Sequence, residues 1–458
     1  EDNRVRKLDY SIQISKLFYE RFISNEDITL FSPHDVPGLY DAFGTDDFDE
    51  LYTQYESDES IPRTTIGGQE LILELLKERA ETGRIYIMNI DHCNSHSSFL
   101  DKVEMSNLCQ EITLPTKPIQ HIDDKTGEIA LCILSAINVG KIRDASDFEV
   151  LCDLSVRSLD ELIDFQGYPV NAAEIATRAR RSLGVGYIGL AHYLAKQGVK
   201  YDDPEAWKIV HELTESFQYY LIKSSVNLAK EKGACEYSDR TKYAQGILPI
   251  DTYKKDVDEI VPNDLLLDWE SLRADVREYG IRNSTLSAQM PSESSSVVSN
   301  ATNGIEPPRG YLSIKKSKKG PLKQIVPSYG TLKNNYTLLW DMPSNKGYIN
   351  VVAVMQKFFD QAISGNWSYN PQHYDNNEVP VSIMAQDLLT TYKLGWKTSY
   401  YQNTYDVKTD EVQEPANPIG WHDNIEDVGI QGRTKPDLNT LVDEIMNSEE
   451  ETCESCAI

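Results

Sequence analysis

The pattern of this 458-residue chain points to an α/β architecture, for three reasons. Short, continuous apolar runs alternate with longer stretches of helical period along most of its length. Hydrophobic residues make up 40% and charged residues 26%, an ordinary globular balance with material for two or three domains and a large core. No run of eighteen apolar residues occurs, so no membrane-spanning helix is expected.

Leu71, Leu75 and Leu76 share one face of an expected helix, and Ile85-Tyr86-Ile87-Met88 follows as a strand. Ile129 to Leu134 is apolar without alternation, as in a parallel strand covered on both faces. Helices are expected around Leu159, Leu162 and Ile163, from Ala172 to Lys196, and from Trp207 to Lys230. Thr285 to Met290 reads as a strand that stops at Pro291, before a Ser- and Asn-rich turn. Lys315, Lys316, Lys318 and Lys319 surround Ser317 just before Gly320-Pro321, the composition of a solvated hairpin tip. Helices follow around Val351 to Ile363 and Ile383 to Leu389, then a last strand at Lys397 to Asn403. The chain has no internal repeat. From about Asp406 prolines and acids replace large apolar residues, which predicts a mobile tail.

Asp and Glu number 72 against 45 Lys and Arg, a formal net charge of -27. Such a surface repels nucleic acid, so no direct nucleic-acid binding is expected. An anionic substrate still fits where the site supplies backbone donors. Seven cysteines (93, 109, 132, 152, 235, 453 and 456) are too few, and odd in number, for a disulfide scaffold. The start, Glu1-Asp2-Asn3-Arg4, shows neither a signal peptide nor an initiator Met. A cytoplasmic location and a piece of a longer protein are the corresponding expectations.

Four constellations carry chemistry. In Asn107-Leu108-Cys109-Gln110-Glu111, an extended backbone would point Asn107, Cys109 and Glu111 to one side. Amide, thiol and carboxylate together suit work on a diol, although a chance cluster in a loop reads the same way. Cys132, on the expected strand, is either a core cysteine or half of a redox dithiol with no evident partner in this chain. Met290-Pro291-Ser292-Glu293-Ser294-Ser295-Ser296 opens a helix with serines, either as a phosphate cradle or as an ordinary capped start. Tyr400-Tyr401 is unremarkable by itself among 26 tyrosines. Cys453 and Cys456 form a C-x-x-C on the acidic tail, which suits a swinging dithiol or a merely exposed pair. His92, Cys93 and His96 have ligand-type side chains but no fourth partner nearby, so satisfied loop histidines and no metal site are expected.

Taken in order, these segments resemble the catalytic large subunit of class I ribonucleotide reductase, of the bacterial and T4-like phage type. The similarity runs from Asp91-His92-Cys93 through Asn107/Cys109/Glu111 to the tail. The resemblance implies the C-terminal part of a ten-stranded α/β barrel with a central finger loop, a small α/β insertion and a flexible tail. Its divisions would be 1–105 (end of the first half-barrel), 106–116 (finger loop), 117–310 (second half-barrel with the phosphate loop), 311–395 (insertion), 396–404 (last barrel strand) and 405–458 (redox tail). The first-half strand that carries the partner of Cys132 is missing, as in a large subunit split into two polypeptides.

The resemblance also implies roles. A radical generated at a tyrosine beside a dinuclear metal centre in a separate small subunit would travel through Tyr401 and Tyr400 to Cys109. Glu111 and Asn107 would handle the ribose hydroxyls, and Cys132 would supply half of the reducing dithiol. Ser292, Glu293, Ser294 and Ser295 would hold the diphosphate of a ribonucleoside diphosphate. Cys453 and Cys456 would relay electrons from thioredoxin or glutaredoxin. Nucleotide effectors would bind mainly to the N-terminal polypeptide, and the chain by itself would be inactive as an enzyme. Location would be cytoplasmic, in the host cytoplasm if phage-encoded. A glycyl-radical or cobalamin-dependent relative is the competing enzyme reading, and an inert assembly module the competing non-enzyme one.

Overall fold

The structure, a computed structural model, describes residues 8–317 and 320–406. Among these residues the strands are β1 Tyr10–Ile14, β2 Asp27–Phe31, β3 Arg63–Gly67, β4 Ile85–Asn89, β5 Ile133–Asn138, β6 Leu183–Ile188, β7 Leu312–Ser317, β8 Gly320–Ile325, β9 Trp367–Tyr369, β10 Thr398–Ser399 and β11 Gln402–Thr404. β4 is a central strand, with β1 parallel on one side and β10 antiparallel on the other. β5 and β6 run parallel in register, Ile133 beside Leu183 and Asn138 beside Ile188. β9 pairs in parallel with β11, whereas β2–β3 and β7–β8 are antiparallel pairs.

Irregular extended segments join these sheets. Thr285–Met290 lies beside β6, where Val185 N donates to Leu286 O at 2.8 Å and Ala288 N to Val185 O at 3.1 Å. Its other edge meets residues 361–364, through Gln361 N to Ser287 O and Gln289 N to Ala362 O, both 3.1 Å. The α/β expectation holds: parallel pairings connected by helices. The helices Phe148–Phe165 and Lys346–Gln356 both pack on the long helix Pro204–Lys232. Phe217 lies at their centre, with ring centroids 5.5 Å from Phe148, 5.3 Å from Tyr187 and 5.6 Å from Phe359. Every residue of Lys346–Gln356 from Gly347 onward is buried, so this helix belongs to the main core.

Besides 285–290, expected as a strand and found as an extended segment with only isolated bridges, four expected elements differ. The single helix from Ala172 to Lys196 is a helix (Asn171–Arg180), then β6, then a second helix (Leu190–Gln197). Arg181, at φ 48°, ends the first helix and is held by Asp160 and Asp164. β6 hides because Gly184 and Gly186 weaken its strand signature. They are there for close approach: a Cβ on Gly184 would lie 2.8 Å from Cys132 Sγ, and one on Gly186 2.7 Å from Ala288 O.

The strand placed at 129–134 begins only at Ile133, because Ile129 N is engaged by Ala172 O instead. Its outer side is not covered by described residues, since Leu131 and Leu134 remain 37% and 41% exposed. The helix expected up to Ile363 stops at Gln356, whose amide donates to Phe359 O and Gln361 O and folds the chain back. The strand at 397–403 is broken into β10 and β11 at Tyr400-Tyr401, where the chain leaves β4 for β9. No described helix is long and apolar enough to cross a membrane.

Candidate active site

The loop carrying Asn107, Cys109 and Glu111 is not the extended run expected. It doubles back: Gln110 N donates to Asn107 O at 3.2 Å, Asn107 N to Ile112 O at 3.3 Å, and Gln110 takes φ 69°. The turn, rather than alternation, gathers the side chains. Asn107 Oδ1 accepts from Ile112 N at 3.1 Å, and its side chain is also hydrogen-bonded to Glu111. Thr398 Oγ1 donates to Gln110 O, Ala362 N to Glu111 O and Ser364 Oγ to Cys109 O, so the loop is clamped between β10 and residues 361–364.

Glu111 is almost wholly enclosed, and burial raises its carboxyl above the usual range against the opposing hydrogen bonds of Asn107, its own backbone and Ser364. A carboxyl moved toward neutrality serves as a proton acceptor and donor. It also weakens the fold when ionised: because its folded pKa exceeds the unfolded one, stability is lost as pH rises through the folded value. Glu111→Gln is therefore expected to raise the melting temperature at neutral and alkaline pH. The gain should shrink as pH falls through the folded value and close only near the unfolded carboxyl's, about 4.3, which a melting series across roughly pH 4–8 would read.

Cys132 sits immediately before β5, not within a strand as expected. Gln361 Nε2 donates to its sulfur at 3.4 Å and to Leu183 O at 2.9 Å. Burial pushes this thiol up, and the Glu111 carboxylate adds to the shift, so the two groups feel each other. Residues 361–364 thus touch Cys132, Glu111 and the Cys109 backbone at once.

Tyr400 reaches Cys109 directly, with its hydroxyl 3.5 Å from Sγ. Tyr400 and Tyr401 have ring centroids 4.2 Å apart and share a hydrogen bond. Burial first, then the bonds to Cys109 and Tyr401, hold the Tyr400 phenol strongly protonated. The pair is fixed from behind. Arg79, on the helix Gly68–Thr82, donates to Tyr400 O at 2.8 Å and to Tyr401 O at 3.3 Å, and its guanidinium lies over the Trp367 ring. Tyr401 N donates to Asn366 Oδ1 at 3.0 Å. Tyr86, on β4, packs against both phenols.

Ser292 precedes the short helix Glu293–Val298, and its hydroxyl turns to Met290 O at 3.2 Å rather than capping the helix. Glu293, Ser294 and Ser295 are exposed, with Ser295 Oγ donating to Ser292 O. This turn follows directly on the 285–290 segment that borders residues 361–364. Cys453 and Cys456 lie outside the described residues. His96 is bonded to Thr252 Oγ1 and Gln356 O, His92 to Trp396 O, and Cys93 to Lys397 O. His96 is thus satisfied at both ring nitrogens, whereas the buried His92 Nε2 has no hydrogen-bond partner among the described residues, and the trio lies on the short helix Ile90–Ser95 and its end rather than in the loop expected.

Tyr86, Arg79, Gln361 and Ser364 escaped the sequence reading. Only Tyr86 left a signal: on a strand carrying Ile85 and Ile87, its side chain must point away from theirs.

A family model described as ribonucleotide reductase, barrel domain, matches residues 1–402. The chain is 58% identical over 419 residues to the ribonucleoside-diphosphate reductase subunit alpha of Haemophilus influenzae, covering 90% of this chain and 55% of that protein. It is 55% identical over 415 residues to ribonucleoside-diphosphate reductase 1 subunit alpha of Escherichia coli K12, covering 90% and 54%. With the ribonucleoside-diphosphate reductase subunit alpha of Enterobacteria phage T4 it shares 44% identity over 428 residues, covering 91% and 56%. The chain thus spans little more than half the length of these relatives. With the family match extending over the loop, the strand segments and the tyrosine pair alike, the chain belongs to the ribonucleotide reductase family and carries its barrel domain in C-terminal part.

Proposed function

We propose that this chain is the C-terminal catalytic part of a class I ribonucleoside-diphosphate reductase large subunit, reducing ribonucleoside diphosphates to their deoxy forms by radical chemistry. The observation that carries the reading is the contact series Tyr401–Tyr400–Cys109 ending beside the enclosed Glu111. Two adjoining phenols, tilted at 51° to each other and in contact with a thiol, form a hole-transfer route, and a carboxyl near the thiol is what ribose chemistry needs.

The oxidising equivalent starts at a tyrosyl radical beside a dinuclear metal centre in a separate small subunit. It passes Tyr401 and Tyr400 and leaves Cys109 as a thiyl, which removes the ribose 3′ hydrogen atom. Glu111 takes the 3′-hydroxyl proton while Asn107 holds the hydroxyls. The 2′-hydroxyl leaves as water, and a dithiol formed by Cys132 and a cysteine of a second polypeptide becomes a disulfide. Cys109 then returns the hydrogen atom. Ser292 to Ser295, with Glu293, form the diphosphate end of the site. Cys453 and Cys456 reduce the new disulfide and are recharged by thioredoxin or glutaredoxin. On this reading 106–116 is the finger loop, 117–310 the second half-barrel and 405–458 the redox tail, while an insertion over 311–395 would not include the helix Lys346–Gln356 or residues 361–364, which lie in the main core and against 285–290.

The second polypeptide is an N-terminal large-subunit piece that also carries the effector sites. Its support is the share of the relatives' length that this chain does not span, together with the edge of β5 that no described strand pairs, beside which Leu134 and, just before the strand, Leu131 are exposed.

The test is reconstitution. CDP reduction is expected when this chain, the N-terminal polypeptide and the small subunit are mixed, and not when any one is omitted. Effector-responsive turnover without the N-terminal polypeptide would remove that partner from the scheme, and no turnover in the full mixture would remove the reaction. Within the active mixture, Cys453→Ser is expected to spare a single turnover but block thioredoxin-driven cycling, with partial rescue by dithiothreitol. Equal loss in both assays would contradict the tail relay.

A further inference from the structure

Tyr86 is a third phenol in the cluster with no part in the series above. It stands across the sheet from Tyr400, because the register that pairs Thr398 with Met88 and Ser399 with Ile87 runs on to this pair. Its ring centroid lies 4.7 Å from that of Tyr400 and 5.3 Å from that of Tyr401, edge-on to the latter. Its hydroxyl is hydrogen-bonded to that of Tyr401 and donates to Asp9 Oδ1 at 3.1 Å. The ionisable groups facing the cluster are Asp9 and Arg84 on one side, Arg79 from the helix behind, and Tyr400 with Cys109 in front. Beside Tyr86 and Asp9 opens a cleft of about 230 Å³, lined also by Ser11, Gln13 and Asn107.

A phenol that gives up an electron becomes so acidic that its proton must leave in the same event. Tyr400 has the Cys109 sulfur for a partner. For Tyr401 the hydroxyl partner that leads on to a carboxylate is Tyr86.

We propose that Tyr86, backed by Asp9, is a positioning residue that holds the phenolic proton of Tyr401 during radical transfer. The inference rests on the Tyr401–Tyr400–Cys109 reading for its purpose, but its hydrogen bonds can be tested without turnover. When Tyr401 gives an electron to the small subunit's tyrosyl radical, its O–H proton moves to the Tyr86 oxygen and the Tyr86 proton moves to the Asp9 carboxylate. Both return when Tyr401 is reduced by Tyr400. No atom is gained or lost, and Tyr86 itself is not oxidised.

The direct test places 2,3-difluorotyrosine, whose phenol ionises near neutral pH, at position 401 of the full chain. The fluorine resonances are followed with pH in the absence of any partner. Tyr86→Phe, which keeps the ring, and Asp9→Asn, which leaves the cluster's rings alone, are each expected to lower the probe's apparent pKa by about 0.5 pH unit, since an acceptor or a nearby negative charge has gone. An unchanged or raised pKa in both variants overturns the proposal; should Tyr86→Phe not fold, Asp9→Asn decides alone. In the reconstituted enzyme Tyr86→Phe is expected to lower kcat roughly tenfold or more at unchanged KM for the nucleotide. If the wild-type mixture itself shows no turnover, the reaction assignment fails and the fluorine titration still decides the role of Tyr86.

Discussion

Cys109→Ser is expected to abolish nucleotide reduction in the reconstituted enzyme while leaving the fold intact. The expectation follows from bond strengths and surroundings together. A serine O–H bond is far stronger than a thiol S–H bond, so a phenoxyl radical at Tyr400 cannot draw a hydrogen atom from it. The loop does not depend on the sulfur for its shape: Ser364 holds the Cys109 carbonyl, Ala362 the Glu111 carbonyl and Thr398 the Gln110 carbonyl. The side chain at 109 is only partly buried, and it meets the Tyr400 hydroxyl, a contact that a serine also satisfies. Turnover is expected to fall below about a thousandth of wild type, as for loss of a covalent participant. The melting temperature should stay within about 2 °C. Steady-state CDP reduction beside a thermal melt reads both, and a few per cent of residual turnover would remove Cys109 from the reacting position.

Asp360→Ala has the largest expected effect on stability. The Asp360 carboxylate accepts from Leu286 N and Ser287 N, each at 2.9 Å, and from Tyr243 OH at 2.8 Å, all buried. It therefore pins the 285–290 segment where no regular ladder does so. Its removal strands two amides and a phenol out of water, and takes a negative charge from beside Lys397. The fully buried Lys397 ammonium is already pushed down to about 7 by burial and donates to the carbonyls of Asp360 and Gln361. Three unsatisfied donors at about 1–3 kcal/mol each, less what relaxation and water recover, give a loss of about 4 kcal/mol. Asp360→Asn, which keeps an acceptor of the same shape, should lose about half of that. Urea midpoints of the three proteins check the order. A midpoint for Asp360→Ala equal to wild type would mean that backbone pairing, not this carboxylate, holds the segment.

What could be read in advance followed the range of the interaction. Helices with an apolar stripe, such as Phe148–Phe165 with Phe148, Cys152, Val156, Leu159 and Ile163 buried along one side, were legible because one face must meet the core whatever lies opposite. β6 was not, because the reason for its two glycines is the sulfur of Cys132 and the carbonyl of Ala288, far away in sequence. The chemistry-bearing types at 107, 109, 111, 132, 400 and 401 were visible as residues, and the contacts in the fold bring them together. The groups that position them were invisible. Ser364, Gln361 and Arg79 act through backbone carbonyls or through a single sulfur, and a carbonyl leaves no mark in the sequence. The reversal at Gln356 shows the same limit, since an apolar run continues past it and only two amide hydrogen bonds turn the chain.

The break between β10 and β11 has a mechanical consequence. Tyr400 and Tyr401 occupy the link at which one chain passes from the sheet of β4 to the sheet of β9, so the gap between their rings is set by the angle between two sheets. Tunnelling falls off exponentially with separation, so on the proposed radical route the link would act as a hinge pin whose slackness is felt as current. Arg79 and Asn366, which brace it from either side, are where a laboratory selection for faster or slower hole transfer should leave its mutations, at a distance from every atom that reacts.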